Sequence, residues 1–386
     1  MLRYLPIAVL SAAPLHAEVP RVVTDIPPVH ALVSQVMGDL GTPELVVRPG
    51  TSPHHHTMRP SEARMLSKAD AVVWVGPALT RWLEEPIENL ATDAKVMTLM
   101  EGEGVELLSF REGATFEAHD HDHGGHDDHE AHGDHDDHED HADHEEHADH
   151  EEHADHDDHE KHDDHASHDD HEKHDDHDDH ASHDDHEEHD DHDEHAKHDD
   201  HDDHDDHAAH ASELMDPHVW LDPGNGALFL SQISALLSDL DPENAATYAA
   251  NAKAGQDAIA RVEQEIKSEL ASIDGQSFIV LHDAYHYFEA HFGIEAAGSV
   301  SEGDAQTPGA ERMQTLRTAL IDSGVDCAFT EPQLSVRLLD TATEGLSVSY
   351  GILDPLGAEH PLGAELYVKT LRAMSSSLAG CLTPNG

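Results

Sequence analysis

Residues 119–210 contain 32 histidines and 43 aspartates or glutamates, and from His123 to His210 a histidine falls at every third position without a slip. A stretch with almost no apolar side chain cannot bury enough surface to offset the entropy of ordering its backbone. Composition therefore predicts a disordered insertion over residues 117–211 in the absence of a partner. The remaining 294 residues must supply whatever folds. Imidazole and carboxylate are ligands for zinc and its divalent neighbours. A solvated acidic spacer would account for the charge but not for thirty histidines in strict register. The tract is thus read as an auxiliary metal-binding segment. It opens with His119, His121, His123, His126, His129, His132, His135 and His138, and closes with His207 and His210.

Charge narrows the partners. The formal net charge is −63, and even outside the tract acids outnumber bases 40 to 17. Such a body repels nucleic-acid phosphates and anionic membrane. The start reads as an export signal over residues 1–17, with Arg3 as its positive end, an apolar run from Leu5, and Leu15-His16-Ala17 suited to cleavage after Ala17. The expected mature chain begins at Glu18, carries no nearby cysteine for a lipid anchor, and has no later run of 18 apolar residues, so a soluble protein without direct membrane insertion is expected. Cys327 and Cys381 are the two cysteines. An even pair in an exported chain points to a disulfide, and no CxxC spacing supports a two-cysteine metal site.

Strands and helices alternate along the rest. Residues 21–24 and 44–48 read as strands around a helix at 28–37. A helix opened by Pro60 runs to Ala69, Ala71 to Val75 is a buried strand, and a helix at 79–90 leads to a strand at 95–99. Past the tract comes a helix at 227–240. A long one follows, begun by Asp241-Pro242 and stopped at Gly275, with apolar positions Tyr248, Ala252, Ile259, Val262, Ile266, Leu270 and Ile273 at spacings of three, four or their sums. Its roughly 48 Å length is enough to run along two lobes. Strands at 278–281, 327–330 and 347–353 then alternate with helices at 284–292, 310–323 and 367–378. The rhythm is that of an α/β protein with parallel sheets. There is neither a GxGxxG nor a P-loop, so nucleotide binding has no support.

Three histidines outside the tract share one setting, just past a strand: His54, His218 and His282. Open α/β sheets bind ligands at the carboxyl ends of their strands. His218 lies in the turn Asp216-Pro217-His218-Val219-Trp220, and Asp283 follows His282, placed to orient a ligating ring. Together they point to a zinc site. His55 and His56 adjoin His54; in extended chain His54 and His56 face one way and His55 the other, which makes His56 the alternative to His54. His286, one helical turn after His282, is either a further ligand or an exposed residue. His30, His291 and His360 read as structural or surface positions.

Several motifs carry a resemblance to a known family. These are Pro49-Gly50-Thr51-Ser52-Pro53-His54 with Arg59-Pro60-Ser61, Ala69-Asp70-Ala71-Val72-Val73-Trp74-Val75-Gly76, Asp216-Pro217-His218-Val219-Trp220, His282-Asp283-Ala284-Tyr285-His286-Tyr287-Phe288 and Asp354-Pro355-Leu356-Gly357. In this order they resemble the cluster A-I substrate-binding proteins of zinc ABC transporters, the ZnuA type, over nearly all the mature chain. The resemblance implies two α/β lobes with parallel sheets, joined by one long backbone helix and holding zinc in the cleft between them. The lobes would be residues 18–240, with the insertion at 117–211, and residues 275–386; the linking helix would be 241–274. By motif position the implied ligands are His54, His218 and His282, with Asp354 or a water as the fourth. The implied protein is a periplasmic monomer, not an enzyme, that captures zinc and delivers it to a membrane permease while the tract binds additional zinc. Pro53 stands where some members place an acidic residue, and His55 and His56 are extra. Manganese-binding relatives place a carboxylate where His282 stands, and three nitrogens suit zinc better.

Two rival readings belong to other classes. An exported zinc buffer without a transport partner would show many comparable weak sites and no dominant tight one. A zinc hydrolase would need a general base beside an open coordination position. No HExxH occurs, and the base would have to come from Glu331 or Asp354.

Overall fold

A computed structural model describes residues 19–111, 113–116, 215–273, 275–301 and 308–383. The export signal and the histidine tract, with its candidate ligands, lie outside the described residues.

In the first half, β1 (Val22–Thr24) lies between β2 (Glu44–Leu45) and β3 (Ala71–Trp74), with β4 (Lys95–Thr98) beyond, in the order β2-β1-β3-β4. All pairs are parallel; Val72 stands opposite Val23 on one side and Val96 on the other. All four residues of β3 are buried, as a strand covered on both faces requires. Helices α1 (Pro27–Met37), α2 (Pro60–Leu66) and α3 (Pro77–Leu90) each have proline in the first turn. There the missing N–H would have had no partner within the helix.

Two helices follow the tract. In α4 (Pro223–Leu240) the Asp222 carboxylate caps the first turn through Gly224 N. The next, α5 (Ala245–Leu270), buries Tyr248, Ala252, Gly255, Ile259, Val262, Ile266 and Leu270 along one stripe. It packs on α4 and on α1. The long helix expected over 241–274 is therefore shorter. Pro242–Asn244 forms a separate 3-10 turn, and the Asp241 carboxylate accepts from Asn244 Nδ2 (2.7 Å) and Tyr248 OH (2.8 Å) instead of capping a backbone N–H. The 26 residues of α5 span about 39 Å.

The second half repeats the first. Strands β5 (Phe278–His282), β6 (Gly298–Ser301), β7 (Cys327–Thr330) and β8 (Ser349–Ile352) form a parallel sheet in the order β6-β5-β7-β8. Around it lie α6 (His286–Phe292), α7 (Ala310–Ser323), α8 (Arg337–Ala342) and α9 (Leu366–Leu382). The last packs both on β8 and on α5, so α5 touches elements of both halves. Cys327 and Cys381 form a disulfide that joins the start of β7 to α9, with Cα atoms 6.1 Å apart. Two elements escape the sequence reading. β6 is Gly-Ser-Val-Ser, four residues with Val300 as the one large apolar side chain, and α8 is six residues long, both too short for a period to register.

Each sheet reverses its winding at the same place, between β1 and β3 in the first and between β5 and β7 in the second. The crevice beyond the carboxyl ends of those strands is where such sheets take ligands. In the first sheet Asp25 fills this position, accepting from Ile26 N and Val75 N (both 2.8 Å) and so tying the ends of β1 and β3 together. Burial pushes its carboxyl up to about 7, against the pull of those backbone N–H groups. In the second sheet His282 ends β5 and Glu331 follows β7.

Candidate metal centre

Three chain segments far apart in sequence bring His54, His218 and His282 together. One ring nitrogen of each lies within 4.8 Å of the others. Ring centroids are separated by 5.7 Å (His54–His218), 5.3 Å (His54–His282) and 5.0 Å (His218–His282), and the planes are steeply inclined to one another. Edge-on rings present lone pairs to a common point, whereas stacked rings would not.

Each histidine is placed by its own local device. His54 follows Pro53, whose carbonyl accepts from Trp82 Nε1 in α3 (2.8 Å), and His54 N donates to Ser52 Oγ (3.3 Å). His218 is fixed by Asp216, whose Oδ1 accepts from both His218 N (2.9 Å) and His218 Nδ1 (2.7 Å). Trp220 covers that ring at 5.3 Å and donates from Nε1 to Pro355 O (2.9 Å), a residue of the second half. His282 ends β5 with its Nδ1 3.4 Å from Glu331 Oε1 and 3.5 Å from Oε2. Nδ1 thus faces a carboxylate on both His218 and His282; carboxylate–imidazole pairs of this kind set tautomer and orientation. Pro53, Trp220, Leu334, Pro355 and Leu356 line the pocket and limit water.

Electrostatics suit a cation. Burial holds the His54 imidazole well below its ordinary proton affinity, and the neighbouring His282, His218 and His55 rings lower it further. Burial and then His282 do the same to His218, against the opposing field of Asp283. Both are therefore neutral at pH 7, the state in which imidazole ligates. Burial also pushes the Asp216 carboxyl up to about 7, opposed by its hydrogen bond from His218 N.

Other candidates fall elsewhere. His56 is not brought into the cluster: its Nε2 bonds Glu62 Oε2 (2.9 Å) and its ring lies against Trp82 (4.9 Å), while His55 between the two is exposed. Asp354 does not join the cluster. Its Oδ1 accepts from Gln333 Nε2 (2.8 Å) and Leu356 N (3.1 Å), and its Oδ2 from Ala358 N (2.5 Å), so it builds the loop after β8. His286 stands behind Asp216, with Nδ1 4.0 Å from Oδ2. His30 bonds Pro43 O (3.1 Å) and Ser34 Oγ (3.3 Å), and His291 lies between Asp222 and Glu263. His360 sits in the loop after Gly357, with its N donating to Gly357 O. Sequence reasoning reaches Glu331 only as a base for hydrolysis. Its position one residue past β7, beside the strand ending in His282, is the signal that would have placed it at the site.

The model of the family described as zinc-uptake complex component A, periplasmic, or ZnuA, matches residues 22–381. The chain belongs to the ZnuA family. It is 41% identical over 373 residues to the high-affinity zinc uptake system protein ZnuA of Paracoccus denitrificans, covering 96% of this chain and 94% of that one. It is 36% identical over 362 residues to the protein of the same description from Brucella suis, covering 94% and 91%. Among solved structures it is similar to a crystal structure of ZnuA, with a TM-score of 0.62 at 18% identity over 94% of this chain and 99% of that one. It is also similar to the Mn2+ complex of FpvC from Pseudomonas aeruginosa, with a TM-score of 0.63 at 16% identity over 95% and 100%. Those two likenesses bear on fold alone. ZnuA proteins are periplasmic solute-binding components and not enzymes, so the hydrolase reading falls.

Proposed function

We propose that this chain captures zinc in the periplasm through His54, His218 and His282 and delivers it to the membrane permease of a zinc ABC transporter for import. The observation that carries this is the convergence of three separately positioned imidazoles on one point, two of which, His54 and His218, burial holds neutral. Three nitrogen ligands favour zinc over the harder manganese and magnesium ions, and a water completes the tetrahedron in place of Asp354. The relatives' description as high-affinity zinc uptake proteins supports the same cargo. The chain is read as a monomer with no nucleic-acid partner. Residues 1–17 act as the export signal, and the histidine tract binds further zinc.

The test separates a transporter subunit from a buffer. Protein lacking residues 119–210 should keep one tight zinc site in chelator competition, while the full-length chain binds several more ions weakly. Ligands in a preformed cleft are already ordered; those of an unordered tract must be ordered on binding. In the shortened protein, His54→Ala, His218→Ala and His282→Ala should each weaken zinc by more than about tenfold, and His56→Ala or His360→Ala should change little. Loss of the tight site along with the tract would leave the buffer standing.

A further inference from the structure

The described residues between β4 and the tract do not stop at the first sheet. Leu108 O accepts from Asp216 N (2.9 Å), and Ser109 pairs antiparallel with Met215. The hydroxyl of Tyr287, in α6, joins both segments by donating to Asp216 O and accepting from Leu108 N, each at 2.9 Å. Farther on, Thr115 pairs antiparallel with Gly298 of β6. Phe116 N donates to Ala297 O (3.0 Å), Ser299 N to Ala114 O (3.2 Å), and Arg312 Nη1 to Gly113 O (2.8 Å). Residues 108–111 and 113–116 thus form a strap that leaves the first sheet's half and lies along the second.

In its middle is Arg111, with a side chain only 10% exposed. Nε lies 3.2 Å from both Asp283 oxygens, Nη2 also bonds Asp283, Nη1 bonds Glu289 Oε2 (2.6 Å), and the guanidinium sits 3.8 Å over the Phe116 ring. Asp283 is the residue after His282, and Asp216, held by the same strap, orients His218. We propose that Arg111 is a positioning residue of the metal centre, holding the His282 and His218 segments in register through Asp283 and the strap. The proposal rests on the function proposed above. A zinc–nitrogen bond tolerates little error around 2.0–2.1 Å, so a small shift of His282 against His218 is felt directly in binding. The fork matters because Nε and Nη2 engage Asp283 while Nη1 reaches Glu289; a lysine ammonium, with its three donors on one nitrogen at the end of a flexible stem, does not fix the two carboxylates in that planar geometry. The strap also accounts for Gly298, where a Cβ would lie 2.2 Å from Ala114 O.

Two variants of the full-length chain test this independently. Arg111→Lys keeps the charge and loses the fork. Gly298→Ala displaces the strap without touching an ion pair, and Gly309→Ala, with nothing within 4 Å of its Cβ, is the control. Each protein is given half an equivalent of cobalt(II), so that the tightest site fills first, and zinc affinity is measured by chelator competition. Arg111→Lys and Gly298→Ala should alter the shape and intensity of the cobalt ligand-field bands and weaken zinc roughly tenfold, with Gly309→Ala like the parent. A merely structural arginine would lower the melting temperature of metal-free protein and leave the bands and affinity alone; that result overturns the proposal. Should Arg111→Lys fail to fold, Gly298→Ala decides by the same two readouts. Absence of a tetrahedral cobalt spectrum in the parent would instead sink the proposed function, and this inference with it.

Discussion

What a histidine does in this protein depends on what faces its two ring nitrogens. His56, His30 and His291 have carboxylate, carbonyl or hydroxyl partners outside the cluster, and each ring serves the structure around it. At His218 and His282 Nδ1 faces a buried carboxylate while the ring belongs to the three-histidine cluster. The two carboxylates are not equivalent. Asp216 lies 2.7 Å from His218 Nδ1, a short direct hydrogen bond, whereas Glu331 lies 3.4–3.5 Å from His282 Nδ1, at the margin of hydrogen bonding. Both raise ligand basicity, so Asp216→Asn and Glu331→Gln should each weaken zinc, within about 10- to 100-fold. Asp216→Asn should cost more. Chelator competition on the two variants checks the order, and a larger loss at Glu331 would show that the metal draws Glu331 closer than Asp216.

Among the elements, α5 decides most because it packs on α1, α4 and α9 together. Gly255 in its buried stripe is an apparent violation of helix propensity. A Cβ there would meet Gln35 Cγ at 2.7 Å and Leu230 Cδ1 at 2.8 Å. Alanine would gain about 1 kcal/mol of helix propensity and lose about 1–3 kcal/mol to overpacking between buried helices. Thermal denaturation of Gly255→Ala should therefore show a lower melting temperature, and a rise would mean the helices part without cost. A second link runs from α6 to α5. His291 Nδ1 is 3.0 Å from Asp222 Oδ1, and its Nε2 is 3.2 Å from Glu263 Oε1, which Lys267 also pairs. The Asp222 hydrogen bond raises its proton affinity above the ordinary value of 6.5, with Glu263 adding to this and burial opposing it. A raised folded value makes this contribution to stability complete below pH 6.5 and progressively lost as pH climbs through the folded pKa. Replacing His291 by Gln should flatten the melting-temperature profile of metal-free protein above pH 6.5. An unchanged slope would mean another group controls that range.

At the scale of the whole molecule, the Cys327–Cys381 disulfide closes a loop of 54 residues between β7 and the last helix. Loop-closure entropy for that length is about 4 kcal/mol, and removal of native disulfides typically costs about 2–5 kcal/mol. The double variant Cys327→Ala, Cys381→Ala should unfold in denaturant with a stability lower by about that much. Its zinc affinity should be unchanged, because the bond lies at the opposite ends of β7 and α9 from the histidines. Loss of zinc with retained stability would reverse the assignment of roles. The alternation of strands and helices and the cysteine pair were legible in the chain, because each is a local pattern of period, composition or spacing; the strand-end setting read for three histidines holds at His282, the last residue of β5, whereas His54 lies nine residues past β2 and His218 opens a 3-10 turn. What could not be read locally is which way a side chain turns. His54 and His56 have the same local credentials, and only packing against Glu62 and Trp82 takes His56 away. Asp354 has the right motif, but Gln333 and the amides of its own loop use its oxygens. Glu331 and Arg111 matter through partners tens to nearly two hundred residues distant in sequence. Local composition determined which residues were able to bind a metal here; long-range packing decided which of them share a point in space, because convergence depends on strand order and on contacts that no short stretch encodes.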